Sequence, residues 1–263
     1  PGLLFWDTAK RMTPADIYEA EGFGSTSTNP CGEIILSPYD SCRLMLINLT
    51  SFVKNPWQES ATFDFQSYSN VVQKAQRLMD DMVDLEIEKI NKILEKIKND
   101  PENLDVKQPE INLWERIKEQ ATKGRRTGLG ITGLGDTLAM LGQTYGDEDS
   151  IATTEMIYRH LGTFSYISSM IMAKERGAFS VHDSDREENH PFLGRVFGAI
   201  NESGGIEDIT AEEWNKKWGR RNISNTTTAP AGSVSVLTQT TSGIDPAFML
   251  HYTRRKKINP NDK

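Results

Sequence analysis

Residues 65–98 constrain this chain more than any other stretch. Val71, Val72, Ala75, Leu78, Met79, Met82 and Leu85, then Ile90, Ile93, Leu94 and Ile97, recur at spacings of three and four. Lys, Glu and Asp fill the positions between them, several as i,i+4 pairs of opposite charge. That periodicity predicts one long amphipathic helix with a single apolar face. A heptad interaction arm has the same pattern; a helix laid on the outside of a domain accounts for it more simply. Such a helix needs an apolar layer to cover, and "RLMLINLTSFV", just before it, is apolar and β-permissive and predicts a buried strand.

The remaining segments extend this α/β pattern. "GLLFWDTA" predicts another short buried strand, followed by a helix over 13–21 opened by Thr13 or Pro14. Further helices are predicted over 112–123 and 151–176, with "NDPENLDVKQPE" (99–110) as a surface connection before the first of them. In the second, Ile157, Leu161, Phe164, Ile167 and Ile171 face inward and Gly177 supplies the C-cap.

In "GRRTGLGITGLGDTLAMLG", Gly128, Gly130 and Gly133 match the dinucleotide fingerprint G-x-G-x-x-G. That motif requires a buried strand immediately before it, whereas "WERIKEQATKGRRT" is charged and amphipathic. Glycines that let a helix approach a neighbouring backbone are the expected cause. "HDSDREENH" places His182 and His190 among carboxylates without the spacing of a metal site, and predicts a hydrated loop. His160 and His251 are expected to be packed or surface histidines.

Composition narrows the classes of partner. The chain has 263 residues, 37% hydrophobic and 25% charged, enough for one large domain or two small ones. A net charge of −7 argues against nucleic acid as the main partner. The one dense basic run, 254–257, reads as a solvated end. With no apolar run of about 18 residues, no membrane span is expected. Two cysteines cannot frame a disulfide scaffold of this size, so a reducing, cytoplasmic setting is expected. The apolar "PGLLFW" start and the abrupt end after an apolar segment suggest a piece of something larger.

Both cysteines lie in "STSTNPCGEIILSPYDSCRLMLINLTSF", eleven residues apart. Pro30 and Gly32 place one stiff and one permissive residue beside Cys31, which suits a tip that is held yet approached closely. Asn29 can grip a hydroxyl, and Glu33 can take a proton from one. A thiol protease needs a histidine partner, and a zinc site needs more nitrogen or sulfur ligands. Neither is nearby in sequence. Later, "NTTTAPAGSVSVLTQTTSGIDPAF" is small and hydroxylic, with Pro230, Ala231, Gly232 and Ser233 as a turn opening a helix or strand. Free N–H groups there suit an anion.

"NPCGE" with a second cysteine eleven positions on, "RRTGLGITGLGDTLAMLG" and "APAGSVSVLTQTTSGIDPAF" occur in one order. Together they resemble the large catalytic subunit of ribonucleotide reductase, nearest to the class II, adenosylcobalamin-dependent enzymes. The resemblance covers essentially the whole chain, 1–263, as a central segment of the catalytic barrel. It implies part of a ten-stranded α/β barrel with a central finger loop carrying the radical cysteine. It further implies that Cys31 forms the thiyl radical that takes hydrogen from the ribose C3′. Glu33 would then deprotonate the 3′-hydroxyl, Asn29 would bind hydroxyls, and Cys42 would belong to the reducing cysteine pair. Pro30 and Gly32 would shape the substrate-binding turn, and Pro230, Ala231, Gly232, Ser233 and Val234 would hold phosphates. Members of the family carry a glutamate where Gly232 stands; backbone amide donation survives that change.

The implied partners are a ribonucleoside di- or triphosphate, a thioredoxin-like reductant, and a complementary chain or homo-oligomer completing the barrel. No metal bound by this chain is implied. The second cysteine of the reducing pair lies upstream in the family, and this chain has no third cysteine. By itself the chain is therefore expected not to turn over. Two other functions fit the same residues: a class I catalytic subunit served by a metal-containing radical partner, and a nucleotide-binding fragment without catalysis.

Overall fold

The computed structural model describes residues 3–249 together with 251, 253 and 255. The 254–257 run lies largely outside the described residues. The chain opens with helix α1 (Trp6–Met12) and a 3-10 helix (Pro14–Glu21). The predicted initial strand does not form. Leu3, Leu4 and Phe5 are exposed, nothing described pairs with them, and Asp7 with Lys10 and Arg11 suit the two ends of a helix.

A small antiparallel hairpin follows, β1 (Ser27–Thr28) with β2 (Ile35–Leu36). Strand β3 (Leu44–Asn48) is then continued by a 3-10 turn (Leu49–Phe52) and a second antiparallel pair, β4 (Val53–Lys54) with β5 (Thr62–Phe63). Two long helices, α2 (Phe65–Asn99) and α3 (Leu104–Gly124), lead to strand β6 (Gly128–Thr132). β6 pairs in parallel with β3, from Leu44 opposite Gly128 to Asn48 opposite Thr132. Parallel neighbours need a crossover, and the α2–α3 pair supplies it. Helices α4 (Leu134–Met140), α5 (Glu148–Arg176), α6 (Ser184–Glu187), α7 (Pro191–Glu202) and α8 (Ala211–Trp218) form the next crossover. It returns to residues 224–227, where Thr226 bridges Leu129 in parallel. Helix α9 (Gly232–Thr238) follows.

The parallel layer is open among the described residues. It consists of β3, β6 and the bridged segment, so the α/β class holds and a closed ten-stranded barrel is not formed. The main core packs Ile47, Leu129 and Ile131 of this layer against Val72 and Met79 of α2 and Ile157 and Leu161 of α5.

Helix α2 has the predicted length but not a single apolar face. Val72, Ala75, Met79, Val83, Ile90, Leu94 and Ile97 are buried, while Val71, Leu78, Met82 and Leu85 are exposed. Its apolar residues span more than one stripe of helix, and only one stripe meets α5, α3 and the strands. Helix α3 begins within the predicted surface connection, because Ile111 joins Ile90, Leu94 and Ile97 in a satellite cluster that extends the helical pair. Gly128 and Gly130 make room for strand and loop backbone rather than for a helix. A Cβ on Gly128 would sit 2.7 Å from the Arg43 carbonyl oxygen, and one on Gly130 2.7 Å from that of Thr227.

The predicted hydrated loop at 182–190 is partly core. Glu187 is 3% exposed, and Arg220 is wholly buried against it. Arg220 Nη2 donates to Glu187 Oε1 at 2.6 Å, Asn215 Nδ2 to Oε2 at 3.0 Å, and the Tyr18 hydroxyl to Oε1 at 2.7 Å. A buried carboxylate persists there because its lone pairs are satisfied. His160, as expected, is packed, between the rings of Phe65 and Phe164.

Candidate active site

The Cys31 turn is the tip of the β1–β2 hairpin. Asn29 N–H donates to the Ile34 carbonyl at 3.1 Å, and Gly32 N–H to the Asn29 carbonyl at 3.0 Å. The Asn29 side chain braces the same loop, its Oδ1 accepting from Ile34 N–H at 3.1 Å. Gly32 has φ +83° with open space where a Cβ would stand, so it serves backbone shape and leaves the approach to the thiol clear. Pro30 and Cys31 are exposed beside it.

Cys42 comes to this tip from the segment before β3. Asn29 Nδ2 donates toward its sulfur at 3.4 Å, and the sulfur lies 3.9 Å from Glu33 Oε1. The two cysteines are both free thiols. Cys42 is exposed yet packed on one side. That partial desolvation pushes its thiol up, the Glu33 carboxylate adds to the push, and the Asn29 hydrogen bond offsets part of it. Cys42 thus meets the Asn29 and Glu33 side chains of the same hairpin tip that carries Cys31. Glu33 Oε2 is buried with no hydrogen-bond partner among the described residues. Such an atom is costly unless something meets it.

Charge pairs clamp Cys42 from both sides. Asp40 accepts from Arg126 Nε at 2.6 Å with both side chains buried. Ser41 Oγ donates to Glu86 at 2.8 Å, Arg43 Nε pairs with Glu86, and Arg43 Nη1 donates to the Arg126 carbonyl at 2.8 Å. Sequence reading did not single these residues out. The arginine pair before the glycine-rich strand was the visible signal, but its acidic partner lies 86 residues away.

Thr227 is a further missed contact. Its Oγ1 donates to the Glu33 carbonyl at 2.9 Å. Three residues later the chain reaches Pro230. Gly232, Ser233 and Val234 are exposed in the first turn of α9, where N–H groups have no intrahelical carbonyl to bond. Ala231 is buried as the N-cap. Thr227 links the segment that leads into this loop to the Cys31 turn. A cleft of about 780 Å³ between α5 and α7 is lined by no residue of the Cys31 turn. A smaller cavity of about 190 Å³ does include Glu33, with Ile34, Arg126, Thr127 and Thr226.

The family model for the ribonucleotide reductase barrel domain matches residues 1–260. The chain belongs to the ribonucleotide reductase barrel-domain family. It is 29% identical over 255 residues to a vitamin B12-dependent ribonucleoside-diphosphate reductase of Mycobacterium tuberculosis, covering 97% of this chain and 28% of that protein. A protein of the same name from Thermoplasma acidophilum is also 29% identical, over 97% of this chain and 26% of its own length. Among solved structures, the Actinobacillus ureae class Id ribonucleotide reductase alpha subunit matches with a TM-score of 0.58 at 20% identity. That match covers 94% of this chain and 36% of the other, and speaks for the fold. The chain thus spans just over a quarter of the length of these curated reductases, in their barrel domain. Among the described residues no helix is long and apolar enough to cross a membrane.

Proposed function

We propose that this chain supplies the thiyl-radical centre of a class II ribonucleotide reductase, as one part of a larger catalytic barrel. The observation that carries the reading is the convergence of Cys31, Glu33, Asn29 and Cys42 on one hairpin tip, with Glu33 Oε2 left for a substrate hydroxyl. Similarity to vitamin B12-dependent relatives over 97% of the chain favours adenosylcobalamin as radical source. The exposed Cys31 thiol and the open space at Gly32 fit approach by such a group. When bound, it would supply the radical that draws the hydrogen from Cys31.

The chain's own residues then divide the work. The Cys31 thiyl takes the hydrogen from C3′ of the ribose and returns it at the end of the cycle. Glu33 accepts the 3′-hydroxyl proton, acting as general base. Asn29 has one amide hydrogen turned toward Cys42 and a second for a ribose hydroxyl. Replacing the 2′-hydroxyl by hydrogen, with release of water, takes two electrons and two protons. Cys42 and a second cysteine from outside this chain supply them and end as a disulfide, which a thioredoxin-like dithiol reduces. The N–H groups of Gly232, Ser233 and Val234, with Pro230 and Ala231 shaping the turn, hold the phosphates. Free thiols in both roles suit a reducing cytoplasm.

The test joins the chain with the rest of its barrel and supplies adenosylcobalamin, a dithiol and ribonucleoside di- or triphosphates. Formation of the deoxynucleotide supports the reading. Product formed only with a metal-containing radical subunit assigns the chain to class I, and nucleotide binding without product leaves a non-catalytic fragment.

A further inference from the structure

Thr227 stands where two parts of the site meet. Its N–H donates to the Leu129 carbonyl at 3.0 Å, which registers it against β6. Its hydroxyl reaches the Glu33 carbonyl across 194 residues of sequence. The hydrogen bonds that shape the Cys31 turn run within the hairpin, from Asn29 to Ile34 and from Gly32 to Asn29. The Thr227 hydroxyl instead ties Glu33's own backbone to the sheet. Its methyl is held as well, since a Cβ on Gly128 would come within 3.1 Å of Thr227 Cγ2 and 3.2 Å of Ile34 Cδ1. Thr227 is 9% exposed, so a lost partner there is not readily replaced by solvent.

We propose that Thr227 is a positioning residue that registers the Cys31–Glu33 turn against the loop of Pro230, Ala231, Gly232, Ser233 and Val234. The proposal rests on the ribonucleotide-reducing reading of the site. In a nucleotide the ribose and the phosphates are joined covalently. The turn and the loop must therefore keep a fixed separation, and an error of about 1 Å at one is felt at the other. A hydroxyl meets this need: the methyl packs against β6 while the oxygen donates to the turn. Valine would keep the packing and lose the tie.

The experiment compares Thr227→Ser and Thr227→Ala in the full chain, reading alkylation of Cys42 by iodoacetamide at pH 8, resolved by peptide mass. Both variants remove the methyl, and only alanine removes the hydroxyl. Thr227→Ser is expected to label Cys42 at the wild-type rate. Thr227→Ala is expected to label it about threefold faster, because Glu33 no longer sits beside the sulfur and the thiolate forms more readily. Thr227→Val, which keeps the volume, gives the same comparison should alanine fail to fold. Equal rates in the serine variant and in a folded variant without the hydroxyl would overturn the proposal. Protection of Cys31 from alkylation by a ribonucleoside diphosphate, measured on the wild-type chain joined with the rest of its barrel, reports on the substrate separately. Failure of protection with the serine–alanine difference intact would overturn the nucleotide reading alone.

Discussion

The Glu33 carboxylate faces Cys42 across 3.9 Å, while its other oxygen is buried without a partner among the described residues. One carboxylate therefore faces the thiol proposed to deliver electrons, on the same hairpin tip as the cysteine proposed to carry the radical. Glu33→Gln keeps the shape and removes the charge. In the chain alone, the Cys42 thiol should fall part of the way back toward its ordinary value, since partial burial remains. Alkylation at pH 8 should rise about two- to threefold. In the completed enzyme, the same variant should bind nucleotide normally and lose roughly 10²- to 10⁴-fold in turnover. Isothermal titration and product assay on one preparation check both.

The clamp on Cys42 gives a second expectation. Asp40→Asn removes the charged partner of buried Arg126. Breaking a buried pair from one side costs about 3–5 kcal/mol. Chemical denaturation should show a loss of that order, and alkylation should show Cys42 more reactive at denaturant concentrations below the transition.

Much of this site was legible in the sequence because "NPCGE" packs unusual residue types into five positions, and a hairpin tip is a local structure. The length of α2 was legible for the same reason. Its buried face was not, because Val71 and Val72 are equally apolar and only the placement of α5 and α3 decides between them. The pairs Asp40–Arg126 and Glu187–Arg220, and the Thr227–Glu33 tie, join residues 86, 33 and 194 positions apart. Each partner taken alone looks like a surface residue. Among the described residues the parallel layer holds only β3, β6 and the bridged segment, and no closed barrel forms.

Glu187 predicts a pH dependence. Burial alone would raise its carboxyl, but the Arg220 guanidinium, with help from His182, holds it well below the usual carboxylate range. A lowered folded value means stability that is present above the unfolded value of about 4.3 and is lost as the pH falls below it. The chain should therefore lose stability on acidification from about pH 4.5 downward. Glu187→Gln leaves Arg220 buried without a counter-charge and should cost about 3–5 kcal/mol at pH 7. The gap from wild type should narrow at low pH. Urea midpoints measured across pH 3–7 for the two proteins provide the check.

Gly130 predicts a purely steric effect. A Cβ there would lie 2.7 Å from the Thr227 carbonyl oxygen and 2.9 Å from Leu46 Cδ2. The backbone side of that contact cannot yield without moving residues 224–227 off β6. Gly130→Ala should cost about 1–3 kcal/mol, read as a lowered thermal midpoint, whereas Gly162→Ala, with open space at its Cβ, should be neutral or slightly stabilising.

The central claim is that Cys31 carries the radical. The most direct measurement is exchange of tritium from the 5′ position of adenosylcobalamin into solvent, catalysed by the completed enzyme with nucleotide present. The account predicts exchange with the wild type and with Cys42→Ser, which lacks only the reducing thiol, and none with Cys31→Ser, because a serine oxygen yields a radical far less readily than a thiol. Exchange that persists in Cys31→Ser at the wild-type rate would contradict the account.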